Sequence, residues 1–247
     1  LAMLTTRNIE YIAYIAVLYL IIKSTRVKSG YFWLATGLMA FLIASDKLFL
    51  SFGVGASLLA LISYSFMRRW AYVSLAVRFF ISTFFATILS MFLIAFINAI
   101  SLTHVSSQSG VGPYGLVQNF SQIKVGVFFV FTAILTNLGA NPAYDAVTTA
   151  VIPGLLRHRL LSVSLVAWLQ NFLLLGLGLY ALSRYFMQSL STKNKNKIAE
   201  DNPKKLTIML GMTSVVAIVT FIFSNHYYPV DARYIGIILF TIFIAIA

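Results

Sequence analysis

The chain has 247 residues, is 60% hydrophobic and only 10% charged, and has a mean hydropathy of +0.90. A soluble domain carries about 25% charged residues, so this composition leaves too few charges for a water-facing surface. The net charge of +12 falls in short loops between apolar runs, a membrane pattern rather than the basic groove of a nucleic-acid binder, and the absence of cysteine excludes disulfides, thiolate metal sites and cysteine nucleophiles.

The first apolar run is Ile9 to Ile22. Glu10 at its head and Lys23 after it, with no small-residue cleavage site, argue against a removable signal. The loop from Lys23 to Lys28 is basic and is expected in the cytoplasm. Run two, Tyr31 to Ala44, and run three, Leu48 to Met67, are joined by the tight outer turn Ser45-Asp46-Lys47. Arg68-Arg69-Trp70 returns the chain to the cytoplasm, and Arg78 leads into run four, Phe79 to Ile100.

Residues Ser101 to Lys124 read as an outer loop rich in Ser, Gly and Gln. Val125 to Leu156 is broken by Pro142 and Pro153 into pieces too short to span easily. By parity it crosses the membrane zero or two times, and interfacial or re-entrant helices are the preferred reading. Run five is Leu160 to Leu182, run six is Leu206 to Phe223, and a seventh begins at Tyr234. The linker between runs five and six, residues 184–205, is Lys/Asn-rich and reads as a solvated cytoplasmic loop. Twelve Lys and Arg then fall inside and six outside (Arg7, Lys47, Lys124, Arg157, Arg159, Arg233), in keeping with the positive-inside bias.

The expected fold is therefore all-α. It is a polytopic transmembrane bundle of about six to seven spans, one domain over residues 1–247, with an extracytoplasmic segment at 101–159. Ile235 to Ala247 would rise about 20 Å as a helix, against a hydrocarbon core of about 30 Å. The sequence thus reads as a fragment of a longer protein.

Four of the six acids, Glu10, Asp46, Asp145 and Asp231, fall on the outer side, so any chemistry is expected there. Arg7, Glu10 and Tyr14 share a helical face. Glu10 either lines a polar cavity or pairs with Arg7 at a favourable helix N-terminus. Asp46 and Lys47 either compensate each other in a turn or place Lys47 on a phosphate. In the outer loop from Asn225 to Tyr234, His226, Tyr228, Asp231, Arg233 and Tyr234 crowd the entry to a span. Arg233 there suits a lipid phosphate and Asp231 could hold it, or the two form a structural pair. Arg157-His158-Arg159 is either a second phosphate contact or a membrane anchor. The stretch Ser109 to Gly115 lacks the Lys and the flanking strand and helix of a phosphate loop. The three His are too scattered for a metal-ligand spacing.

Two stretches carry a resemblance. Arg7 to Phe49 is a polar-headed span, a basic loop, and then Gly37-Leu38-Met39-Ala40-Phe41-Leu42-Ile43-Ala44-Ser45-Asp46-Lys47-Leu48. This resembles the middle of the polytopic GT-C glycosyltransferases, where a Gly/Leu-rich span ends in a Lys-containing turn. Asp231-Ala232-Arg233-Tyr234 before an apolar run resembles the Arg-Tyr entry to a late span in the same superfamily. Together they cover about a quarter of the chain.

The resemblance implies a membrane glycosyltransferase that moves a sugar from a polyprenyl-phosphate carrier to a lipid, glycan or protein acceptor on the outer face of the cell membrane. Lys47 and Arg233 would be the phosphate contacts and Glu10 a cavity acid. A divalent metal is compatible with some members, and no nucleic-acid partner is implied. The superfamily's usual catalytic Asp or Glu follows its first span. This chain has no such acidic loop, so the base is expected to precede residue 1, with Glu10 the alternative within it. A lipid-linked glycan flippase and a non-catalytic membrane subunit are the rival readings.

Overall fold

A computed structural model describes residues 2–100, 202–223 and 236–246. It also describes helical positions at 120, 123–124, 126–127, 130, 134, 173, 176–181, 183–184 and 187. Among the described residues, six helices have defined bounds: α1 Ala2–Lys23, α2 Gly30–Ser45, α3 Leu48–Phe66, α4 Trp70–Ile100, α5 Asn202–Ile222 and α6 Ile237–Ile246. Among the described residues there is no strand. The chain is an all-helical integral membrane protein. Three of its described helices, α3, α4 and α5, are long and apolar enough to cross a bilayer. The count of six to seven spans goes beyond them.

The runs that end in polar turns are helices with nearly the expected bounds. Several boundaries differ: α1 begins at Ala2 rather than Ile9, and α5 begins at Asn202, within the expected linker, rather than at Leu206. Helix α4 begins at Trp70, not after Arg78. No Gly or Pro interrupts residues 70–100, so one charge at a membrane edge does not end the helix. At about 46 Å it exceeds the hydrocarbon thickness, and its first nine residues, up to Arg78, can lie in the headgroup zone. Phe120, Ile123 and Lys124 are helical where a loop was expected, and Ser183, Arg184 and Met187 are helical where the linker was expected to begin. Residues 183–188 contain no breaker, and charge alone again misplaced the boundary.

Helices α1 and α2 are antiparallel. Glu10 meets Ser45 at one end, and Lys23 lies over Tyr31 at the other. Helix α3 runs the same way as α1, with Tyr11 against Phe49 and Tyr14 against Phe52. Helix α4 returns beside α3, from the stacked Tyr64–Tyr72 rings to Gly53 against Thr83. Both α2 and α3 pack on α4, and α5 packs on α1, α3 and α6.

Close approach rests on small residues. A Cβ on Gly53 would collide with Thr83 and Met39, and one on Gly55 with Val216 of α5. Ala56, Ser57 and Ala60 continue this buried strip of α3. In lipid, where apolar burial alone does not drive helices together, such contacts and interhelical hydrogen bonds hold the bundle.

Among the described residues, three buried hydroxyl pairs join helices: Tyr14 to Thr213 at 3.0 Å, Thr36 to Ser82 at 2.9 Å, and Ser214 to Thr241 at 2.8 Å. In each pair the Thr proton goes to a carbonyl one turn back, of Met209, Phe32 or Ile237. A hydroxyl has one proton, so Tyr14, Ser82 and Ser214 are the donors between helices. Bonds of this kind average about 0.6 kcal/mol in a membrane protein, so they fix rotation and register more than total stability.

The outward faces are apolar. Ile12, Leu34, Phe41, Ile62, Phe84 and Phe92 are exposed, as lipid-facing side chains must be. The buried core centres on Tyr14, whose ring meets Phe49, Phe52 and Phe79.

Candidate functional site

The outer-edge group predicted from sequence is partly assembled. Glu10 and the Ser45-Asp46-Lys47 turn, 35 residues apart, meet through one bond: Ser45 Oγ donates to Glu10 Oε1 at 2.6 Å. Such a short hydrogen bond to a carboxylate is strong for its kind. It fixes the head of α1 to the tail of α2.

The turn itself is built by Asp46. Its backbone is extended and its N–H closes α2 on the Leu42 carbonyl. Its Oδ1 accepts the Leu48 N–H at 2.8 Å, which is helix N-cap geometry. The carboxylate also sits at the positive end of the α3 dipole. Lys47 has helical backbone angles (φ −60°, ψ −16°), so its side chain leaves from the first turn of α3.

Asp46 and Lys47 form no ion pair with each other among the described residues. Asp46 is engaged by the backbone, while Lys47 is exposed and makes no ion pair among the described residues. Glu10 is half-buried. The backbone of Arg7 lies in α1, and its side chain is outside the described set. His226, Tyr228, Asp231, Arg233 and Tyr234 also lie outside the described residues, as do Asp145 and the Arg157-His158-Arg159 cluster.

The opposite end of the bundle is basic and aromatic. Lys23 Nζ lies 5.1 Å from the Tyr19 ring centre and 5.8 Å from that of Tyr31, within cation–π range. Arg78 donates from Nη1 to Ser74 Oγ at 3.0 Å. The α3–α4 turn closes with Arg69 N–H on the Tyr64 carbonyl and Arg68 N–H on that of Ser65. These two bonds are the Schellman pattern, whose left-handed residue is usually Gly. Here it is Arg68, at φ +52°.

Sequence reasoning missed Tyr14 as the centre of the aromatic core. Its spacing from Glu10 was visible, but its partner Thr213 lies 199 residues away. It also missed Arg68, since a doublet of Arg at a basic turn signals orientation and says nothing of φ. Among the described residues, no three His, Cys, Asp or Glu are grouped to hold a metal ion.

Comparison with protein-family models, with curated proteins and with solved structures finds no match in any of the three.

Proposed function

We propose that this chain is part of a polytopic membrane glycosyltransferase of about six to seven spans. It would take its sugar from a polyprenyl-phosphate donor and work at the extracytoplasmic face of the cell membrane. The observation that supports this most is the outer-edge arrangement: a Glu10–Ser45 bond of 2.6 Å beside a Lys47 that nothing among the described residues neutralises. A cation at a membrane edge, next to a carboxylate already held by a hydroxyl, is a fitting seat for a lipid phosphate. Arg7 and the stretch with His226, Tyr228, Asp231, Arg233 and Tyr234 would complete the site, with Arg233 as a second phosphate contact.

In this reading Lys47 binds the donor phosphate and Ser45 orients Glu10. The base that activates the acceptor is Glu10 or an acid outside this sequence. The test is sugar transfer from a polyprenyl-phosphate donor in vesicles holding the protein. Lys47→Ala should lower kcat/KM by roughly tenfold, the size of one lost charge-assisted contact. Glu10→Gln should lower transfer more than donor binding. Full activity in both variants would overturn the site, and lipid flipping without any transfer would replace the function.

A further inference from the structure

The head of α1 is held by directional bonds to two different helices. Glu10 Oε1 accepts from Ser45 Oγ of α2 at 2.6 Å, and the Tyr14 hydroxyl donates to Thr213 Oγ1 of α5 at 3.0 Å. Residues four apart on a helix stand one above the other on the same face. Tyr14 therefore lies one turn further into the bundle than Glu10.

Tyr14 is an unusual choice for its place. Its ring lies among Phe49, Phe52 and Phe79, and it is fully buried. A fourth Phe would fill that cage. A buried phenol without a partner is costly, so the hydroxyl is tolerated only in the rotation of α1 that brings it to Thr213. Thr213, also fully buried, spends its own proton on the Met209 carbonyl and offers its oxygen to Tyr14. A single buried polar residue sets register between coiled-coil helices in the same way.

The rotation of α1 decides where the Glu10 carboxylate goes. Its bond to Ser45 is short, and a shift of about half an ångström takes it past the usual O–H···O limit of about 3.0 Å. Ser45 is exposed at the end of α2, where water competes for both partners. The Tyr14–Thr213 bond is buried, and water does not compete for it.

We propose that Tyr14 is a positioning residue for Glu10: through Thr213 it locks the rotation of α1 and so holds the Glu10 carboxylate against Ser45. The proposal rests on the transferase reading for the use made of Glu10, and on the hydrogen bonds alone for its placement.

The test uses the full chain in vesicles and two readouts. The first is the rate at which dicyclohexylcarbodiimide modifies Glu10, followed by mass spectrometry of its peptide, and it needs no transferase activity. Tyr14→Phe keeps the ring in its cage and should speed modification about threefold, which corresponds to the roughly 0.6 kcal/mol that such bonds average. Thr213→Ser keeps the acceptor and should react as the native chain does. Thr213→Val added to Tyr14→Phe should change nothing further, because the bond is already gone. Ser214→Ala removes a bond of the same kind between α5 and α6 and should leave the Glu10 rate unchanged. The second readout is sugar transfer. Tyr14→Phe should lower kcat about threefold at constant KM, and should have no effect in a Glu10→Gln background.

An unchanged Glu10 rate in Tyr14→Phe, an equal acceleration in Ser214→Ala, or an undiminished effect of Tyr14→Phe on transfer in the Glu10→Gln background would each overturn the proposal. Absence of any transfer by the native chain would overturn the transferase reading instead, and the modification rates would still decide whether Tyr14 places Glu10.

Discussion

The two turns that flank α3 solve the same problem in opposite ways. At Ser45-Asp46-Lys47 the polar side chains serve the backbone: Asp46 caps α3, and Ser45 ties the turn to Glu10. At Met67-Arg68-Arg69 the backbone closes the turn by itself, in a Schellman pattern. Its hydrogen bonds are complete, yet Arg68 holds φ +52° where Gly would be at ease. In the first turn the residue left over is Lys47, in the second it is Arg68. Both are exposed cations at the ends of a helix long and apolar enough to cross a membrane, and the proposed function gives Lys47 a lipid phosphate. The difference teaches that a connection between two spans can be closed by a side-chain cap or by a left-handed backbone residue.

The largest effect on stability should come from the first turn. Asp46→Ala removes the acceptor for the Leu48 N–H and should cost about 1 kcal/mol, within the roughly 0.5–2 kcal/mol seen for lost caps. Thermal unfolding in detergent would measure it, and no loss would mean that the turn does not depend on its cap. A smaller effect of opposite sign should follow from Arg68→Gly. Relief of the left-handed residue is worth roughly 1–2 kcal/mol, offset in part by the entropy of Gly in the unfolded chain. The net gain should be about 0.5–1 kcal/mol, and a loss of stability would show that the guanidinium holds the turn together. The smallest effect is expected at Lys47. Lys47→Ala should stay within about 0.5 kcal/mol of the native chain while lowering transfer activity, which separates function from fold at one residue.

Most of the described fold was legible because apolar runs and polar breaks are strong signals in a membrane chain. The turn at Ser45-Asp46-Lys47 was readable for this reason, and so were the bounds of α2 and α3. The start of α4 was not, because a membrane-edge Arg such as Arg78 can sit within a helix as well as before it. At the candidate site, the residue types were legible and their pairing was not. Helical spacing put Arg7 on the face of Glu10, and the hairpin of α1 and α2 adds Ser45, which local spacing could not show. Likewise nothing local marks Thr213 as the partner of Tyr14, since register between distant helices is set by packing. Arg68 shows the remaining gap: a backbone angle leaves no trace in composition.

The central claim is that α3 crosses the membrane and presents these two cations on opposite faces. The chain has no cysteine, so single Lys47→Cys and Arg68→Cys variants can be labelled in sealed vesicles without background. A membrane-impermeant maleimide added from one side should modify only one of the two positions, and the other only after the vesicles are opened. Labelling of both from the same side, with the membrane intact, would contradict the account.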